Sequence, residues 1–328
     1  MPKVAVIALG GNALTRSGQD GAYEQQRRNA LAMARSVLAI RQAGWSVVLV
    51  HGNGPQVGNL AIQQEEGRRL VPAQPLFSLG AMTQGEIGSL LCLALRALDA
   101  DVDTAALITH VVVAPNDPAF GRPTKPIGPF FSPARAAELA VARGWSVAED
   151  SGRGFRRLVP SPQPVEAVET AAIKSLVAGG TVVIAAGGGG VPVARRNAAL
   201  TGVEAVIDKD YVAGHLASAL GAQALVFVTD VRRLMLDFGT STERALDELD
   251  VTTAERYLGE GHFPAGSMGP KVHAATQFLR AGGELTVIST AQSAALTLDP
   301  PGDTTGTGAG DVLGTRIMAT NRTARITS

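Results

Sequence analysis

Short runs of apolar, largely β-branched residues alternate along this chain with longer stretches in which apolar positions recur at helical spacing. Val4-Ala5-Val6-Ile7-Ala8-Leu9, Val47-Val48-Leu49-Val50 and Val182-Val183-Ile184-Ala185-Ala186 carry no polar alternation, the pattern of parallel strands buried on both faces. Each run ends in a glycine cluster: Gly10-Gly11-Asn12, His51-Gly52-Asn53-Gly54 and Gly187-Gly188-Gly189-Gly190. Tyr23 to Ala43 reads as a helix stopped by Gly44, and Gly54-Pro55 leads into a helix over 56–67. A longer helix is expected over 78–98 and a strand over 105–113. The rhythm predicts βαβ units with right-handed crossovers and helices on both faces of the sheet, the α/β class.

The rhythm fails between 115 and 160, where Pro115, Pro118, Pro123, Pro126, Pro129, Pro133 and Pro160 accumulate around one short helix at 134–143. The segment reads as an excursion from the sheet, and because it contains Lys125, as a flap over a site. A helix over 165–178 and a strand over 181–186 restore the pattern. A second half starts near Val206, with a helix to about 220, strands at 224–228 and 284–288, a helix at 269–282 and a last edge strand from Gly314 to Met318. The expected organisation is an N-terminal lobe, 1–205, with a protruding subdomain at 115–160, and a C-terminal lobe, 206–328.

A chain of 328 residues with 45% apolar side chains can bury the core of two such lobes. Lys+Arg and Asp+Glu both total 29, so no bulk field attracts nucleic acid or an anionic membrane. No apolar run approaches the roughly 20 residues of a membrane span, and the N-terminus enters a strand at once. The expectation is a cytoplasmic protein with neither a nucleic-acid nor a membrane partner. Cys92, inside Leu90-Leu91-Cys92-Leu93-Ala94-Leu95, reads as a small buried hydrophobe.

In parallel sheets ligands sit beyond the carboxyl ends of the strands, where glycine lets backbone N–H groups approach an anion. A phosphorylated or small anionic ligand is therefore expected. Only five of the 29 basic residues are lysines, and three stand in unusual contexts: Pro123-Thr124-Lys125-Pro126, Asp208-Lys209-Asp210, and Lys271 after Gly266-Ser267-Met268-Gly269-Pro270. A compact ammonium suits a point-charge role on a moving phosphoryl group. Lys209 and Lys271 open helices, where phosphate finds free donors, although Asp208 and Asp210 at a helix start also suit plain surface charge. Lys125 between prolines has a structural or interfacial reading beside the functional one, and Lys3 and Lys174 read as solvated.

Other chemistries lack their signatures. There is no P-loop, and Gly52-Asn53-Gly54-Pro55-Gln56-Val57-Gly58 departs from a dinucleotide fingerprint, its last glycine one residue late. His51 reads as bonded to backbone, and His110, His215, His262 and His273 share no metal-ligand spacing, so no protein metal site is expected. No Gly-x-Ser-x-Gly elbow occurs. Asp303 to Asp311 is similar to the anion-hole signature of ribokinase-like sugar kinases, but only 17 residues follow Asp311, so it reads as a loop.

Taken in order, Leu9-Gly10-Gly11-Asn12-Ala13-Leu14, His51 to Gly58, Pro123-Thr124-Lys125-Pro126-Ile127-Gly128-Pro129-Phe130, the glycines 187–190, Ile207-Asp208-Lys209-Asp210 and Gly266 to Lys271 resemble the carbamate kinases of the amino-acid kinase family. The proline-flanked Lys125 segment is the part specific to carbamate kinases. The resemblance implies a three-layer αβα sandwich with a mainly parallel central sheet and a small protruding subdomain, in a homodimer. It implies ATP and carbamate giving ADP and carbamoyl phosphate reversibly, with Mg2+ on the nucleotide. Carbamate is already an oxyanion, so positioning and charge stabilisation suffice without a strong base.

Site roles follow from the same resemblance. Lys209 and Lys271 neutralise the transferring phosphoryl group, Asp210 holds the lysines, and Lys125 closes over the acceptor. Gly10, Gly11 and Asn12 donate to phosphate oxygens with Gly188 and Gly189, and Gly52, Asn53 and Gly54 cradle the carbamoyl moiety. Thr229, Asp230, Met235, Met268 and Gly269 join Lys271 at the nucleotide. Departures are Arg232-Arg233-Leu234-Met235 near the adenine and the Gly- and Thr-rich stretch 302–311. Another kinase of the family, acting on a different small carboxylate, phosphonate or phosphate, and a silent nucleotide-binding relative are the alternatives; the presence of Lys209 and Lys271 speaks against the second.

Overall fold

The computed structural model describes residues 3–10, 14–15, 18–150, 152–197, 199–264, 266–300 and 313–319. Gly11, Asn12 and the stretch 302–311 lie outside the described residues. Eight strands form one sheet in the order Glu248–Asp250, Gly314–Met318, Leu285–Ser289, Ala224–Val228, Lys3–Leu9, Trp45–His51, Val182–Ile184, Thr104–Ala106. From Leu285–Ser289 to Thr104–Ala106 every pairing is parallel. Gly314–Met318 reverses direction against Leu285–Ser289, and Glu248–Asp250 lies parallel to it at the edge.

The uninterrupted apolar runs have the expected physical cause, since each strand feeds two cores. From Lys3–Leu9, Val6 and Ala8 pack with the helices Lys209–Leu220 and Met268–Arg280. Ala5, Ile7 and Leu9 pack on the other face with the helices Tyr23–Gln42 and Leu76–Leu98. Side chains of a strand point alternately to its two faces, so this is a three-layer αβα sandwich.

The helix Leu76–Leu98 corrects one expectation. It is 23 residues long and apolar enough to match a membrane span in length and composition. About half of its most apolar stretch is buried within the fold, where Ile87, Leu91 and Leu95 fill the second core.

The strand expected over 105–113 is two strands in different sheets. Thr104–Ala106 pairs with Val182–Ile184, whereas His110–Val113 joins a four-stranded sheet beside Val191–Arg196 and Pro164–Ala167. At the switch, buried Gln84 substitutes for a strand partner: its Oε1 accepts from the Thr109 N–H at 2.8 Å and its Nε2 donates to the Thr109 carbonyl at 3.2 Å. The helix expected from 165 begins at Thr170 for a related reason, because residues 164–167 pair as a strand.

The proline-rich excursion holds an antiparallel sheet, Lys125–Phe131, Phe155–Val159 and Ser146–Glu149, with the helix Pro133–Arg143. Pro126 and Pro129 fit because Lys125–Phe131 is an edge strand. This small sheet seats on the helix Gly54–Gly67 by backbone contact, since a Cβ on Gly58 would lie 2.0 Å from the Gly128 Cα. Arg143 and Arg157 stack over Trp145 and pair with Glu65 from that helix.

Candidate functional site

The carboxyl ends of the parallel strands open into a cleft of about 620 Å³, walled on one side by the small sheet. Asp208 starts the helix Lys209–Leu220 by N-capping: its Oδ1 accepts from the Asp210 N–H at 2.9 Å. That cap fixes the first turn, so Lys209 and Asp210 leave the helix toward the cleft together. Asp210 Oδ1 accepts from Lys209 Nζ at 2.5 Å and Oδ2 from Lys271 Nζ at 3.0 Å. Lys271 also donates to the Ser267 carbonyl at 3.2 Å.

All three groups are less than one-tenth exposed. Burial by itself pushes the Asp210 carboxyl up, but the ammonium groups and hydrogen bonds of Lys209 and Lys271 outweigh it and hold the acid far below the usual carboxylate range. Burial pulls the Lys209 ammonium below its ordinary range, against the opposing pull of Asp210. One carboxylate thus keeps two buried cations in place, an arrangement complementary to added negative charge.

Lys125 reaches in from the edge strand, and its Nζ donates to Asp208 Oδ2 at 2.5 Å. Beside it, Arg156 is 8% exposed, with Nε donating to the Gly128 carbonyl at 2.9 Å and Nη1 to Asp150 Oδ2 at 3.0 Å. Its Nη2 is buried without an acceptor among the described residues and lies near Gly54. Arg156, Asp150 and Arg153 were not legible as site residues, although the flap already held Lys125. The antiparallel register that sets Lys125 opposite Val159 brings this later part of the subdomain to the cleft. The Asp208 pairing with Lys125 and the lining by Thr290-Ala291-Gln292 were likewise missed.

Gly10, Gly52, Asn53, Gly54, Gly188, Lys125, Lys209, Asp210, Lys271, Thr229, Asp230 and Met268 line the cleft. Their backbone roles differ from expectation. The Gly10 N–H is taken by the Val228 carbonyl at 2.9 Å and the Gly52 N–H by Leu9 at 3.3 Å, so neither is free for phosphate. Gly54 opens its helix, whose first-turn N–H groups have no intrahelical acceptor.

Gly189, Gly269 and Met235 do not line the cleft. Gly189 donates to Ala186 at 3.0 Å, Gly269 donates to Pro264 at 2.9 Å, and Met235 lies in the hairpin of Leu234–Leu236 with Arg244–Leu246. His51 is 1% exposed, and burial pulls its imidazole down to about 4 although its Nδ1 bonds the Gly52 carbonyl at 3.1 Å. It is a neutral packing group at working pH.

A parallel sheet that aims buried lysines and a helix N-terminus into one cleft is the arrangement of a phosphotransferase. The profile of the amino acid kinase family matches residues 3–289. Carbamate kinase of Pyrococcus horikoshii is 45% identical over 91% of this chain and 97% of its own, and that of Pyrococcus furiosus is 47% identical over the same shares. Carbamate kinase from Giardia lamblia bound to AMP-PNP superposes with a TM-score of 0.85 at 38% identity, over 97% of this chain and 99% of that one. The chain belongs to the amino acid kinase family and, within it, to the carbamate kinases, and is an ATP-dependent kinase.

Proposed function

We propose that the chain transfers the terminal phosphoryl group of ATP reversibly to carbamate, giving ADP and carbamoyl phosphate. The observation that carries this reading is the pair of buried lysines held by Asp210. An oxygen of carbamate attacks phosphorus as the bond to the ADP oxygen breaks. The acceptor is already an anion, so no proton must be removed, and a neutral His51 is no obstacle. Lys209 and Lys271 offset charge spreading over the phosphoryl oxygens, while Asp210 keeps both aimed. Gly54 at its helix start and Lys125 hold the acceptor; Thr229, Asp230 and Met268 face the nucleotide.

On this reading residues 1–205 form the acceptor lobe and residues 206–328 the nucleotide lobe of a cytoplasmic homodimer. Magnesium carried on the nucleotide neutralises phosphate charge when bound. Asp208 and Asp210 are committed to lysines, whereas Asp230, which has no ion pair among the described residues, fits as a ligand beside phosphate oxygens and water.

The test is ATP formation from ADP and carbamoyl phosphate with magnesium. Wild type should turn over rapidly, and Lys209→Ala should lose roughly 100- to 1000-fold in kcat, about 2.7–4 kcal/mol. A folded, nucleotide-binding wild type that forms no ATP would move the acceptor to another small carboxylate, phosphonate or phosphate.

A further inference from the structure

We infer that Asp208 is the positioning residue for Lys125, a clasp that sets the flap lysine in register with Lys209 before any acceptor arrives; this rests on the acceptor-side role proposed for Lys125. The two residues are 83 positions apart, one opening the edge strand of the small sheet and the other capping the helix that carries Lys209 and Asp210. Each oxygen of Asp208 has its own task. Oδ1 takes the Asp210 N–H at 2.9 Å and Oδ2 takes the Lys125 ammonium at 2.5 Å. One rigid carboxylate therefore fixes the start of the helix and the tip of the flap lysine to each other.

A lysine on an edge strand otherwise spreads over many rotamers, and ordering it when substrate binds costs affinity. Asp208 meets that cost through a contact within the protein itself. The ammonium has three N–H donors, and Asp208 uses one, which leaves donors for an acceptor oxygen in the cleft that Lys125 lines. Both side chains are largely shielded, 25% and 16% exposed, so the pair is little screened by salt. The carboxylates divide the labour: Asp210 serves Lys209 and Lys271, and Asp208 serves Lys125.

Asp208→Asn tests the clasp, because asparagine still caps a helix but loses the charge that grips the lysine. The acceptor KM should rise about tenfold while the nucleotide KM stays within about twofold. In a Lys125→Ala background the same substitution should add no further rise. An unchanged acceptor KM, or an equal tenfold rise in both backgrounds, overturns the proposal.

A second readout does not depend on the acceptor being carbamate. Amide hydrogen exchange in the strand Lys125–Phe131 of the substrate-free protein should be faster in Asp208→Asn than in wild type, and unchanged protection there also overturns the clasp. Wild type failing to make ATP would sink the carbamate assignment and leave the exchange result to decide this one.

Discussion

Gly52–Gly54 and Gly187–Gly190 follow neighbouring strands of one sheet and look alike in sequence, yet they serve opposite ends. A Cβ on Gly54 would meet only ordinary contacts, Arg156 Nη2 at 3.6 Å and the Pro126 carbonyl at 3.7 Å. Glycine there leaves a corner of the cleft open for a ligand. In the second loop the protein itself occupies the space. A Cβ would lie 2.0 Å from the His51 ring at Gly187, 2.1 Å from the Asn53 amide at Gly188, and 2.2 Å from the Ile207 carbonyl at Gly189. Gly188, Gly189 and Gly190 also hold φ of 66°, 88° and 78°. The second loop is a buttress behind the first, seating His51 and Asn53 so that Gly54 begins its helix in the right place. Glycine after a strand signals a close approach; whether a ligand or a neighbouring side chain makes it is decided by tertiary structure.

Three substitutions separate the two loops. Gly188→Ala should cost about 4 kcal/mol in denaturant unfolding, from about 1–3 for overpacking and about 1–2 for a side chain at left-handed φ. Wild-type stability in that variant would mean the loops are interchangeable.

His51 gives the buttress a pH signature. Its folded pKa of about 4 lies below the ordinary 6.5, so the unfolded chain binds more protons between those values. Stability present above pH 6.5 should therefore fall as pH drops toward 4, by about 3 kcal/mol in all. His51→Gln should flatten that slope in the unfolding free energy measured across the interval, and a parallel slope would remove the buried imidazole from the account. The smallest effect belongs to the first loop, where Gly54→Ala should leave stability within about 0.5 kcal/mol of wild type and raise the acceptor KM about tenfold.

Strand-then-glycine punctuation and the odd lysine contexts were legible from sequence because both are local. Residues 224–228 and 314–318 form the strands the pattern predicts, and Tyr23–Gln42 the helix. Thr109 was not legible as a sheet switch, because its partner Gln84 is 25 residues away inside a helix that reads as continuous. Gly58 in mid-helix carries no local sign that the Gly128 backbone rests on it. Arg156 looked like any of the many arginines, and only burial beside Asp150 and Gly54 sets it apart. Asp208 was read only as an acidic residue at a helix start, because its grip on Lys125 depends on how the flap folds back.

The strand Gly314–Met318 sits between Glu248–Asp250 and Leu285–Ser289, and the buried Thr315 hydroxyl ties the Leu234 N–H to the Leu246 carbonyl. During synthesis, Glu248–Asp250 thus leaves the ribosome well before the strand it pairs with among the described residues exists. At roughly 5–20 residues per second the interval is several seconds. A nascent chain spends that time with an unpaired strand edge, a surface that invites pairing with other chains. A message cut short before codon 314 would therefore yield a sticky product, not a weaker kinase.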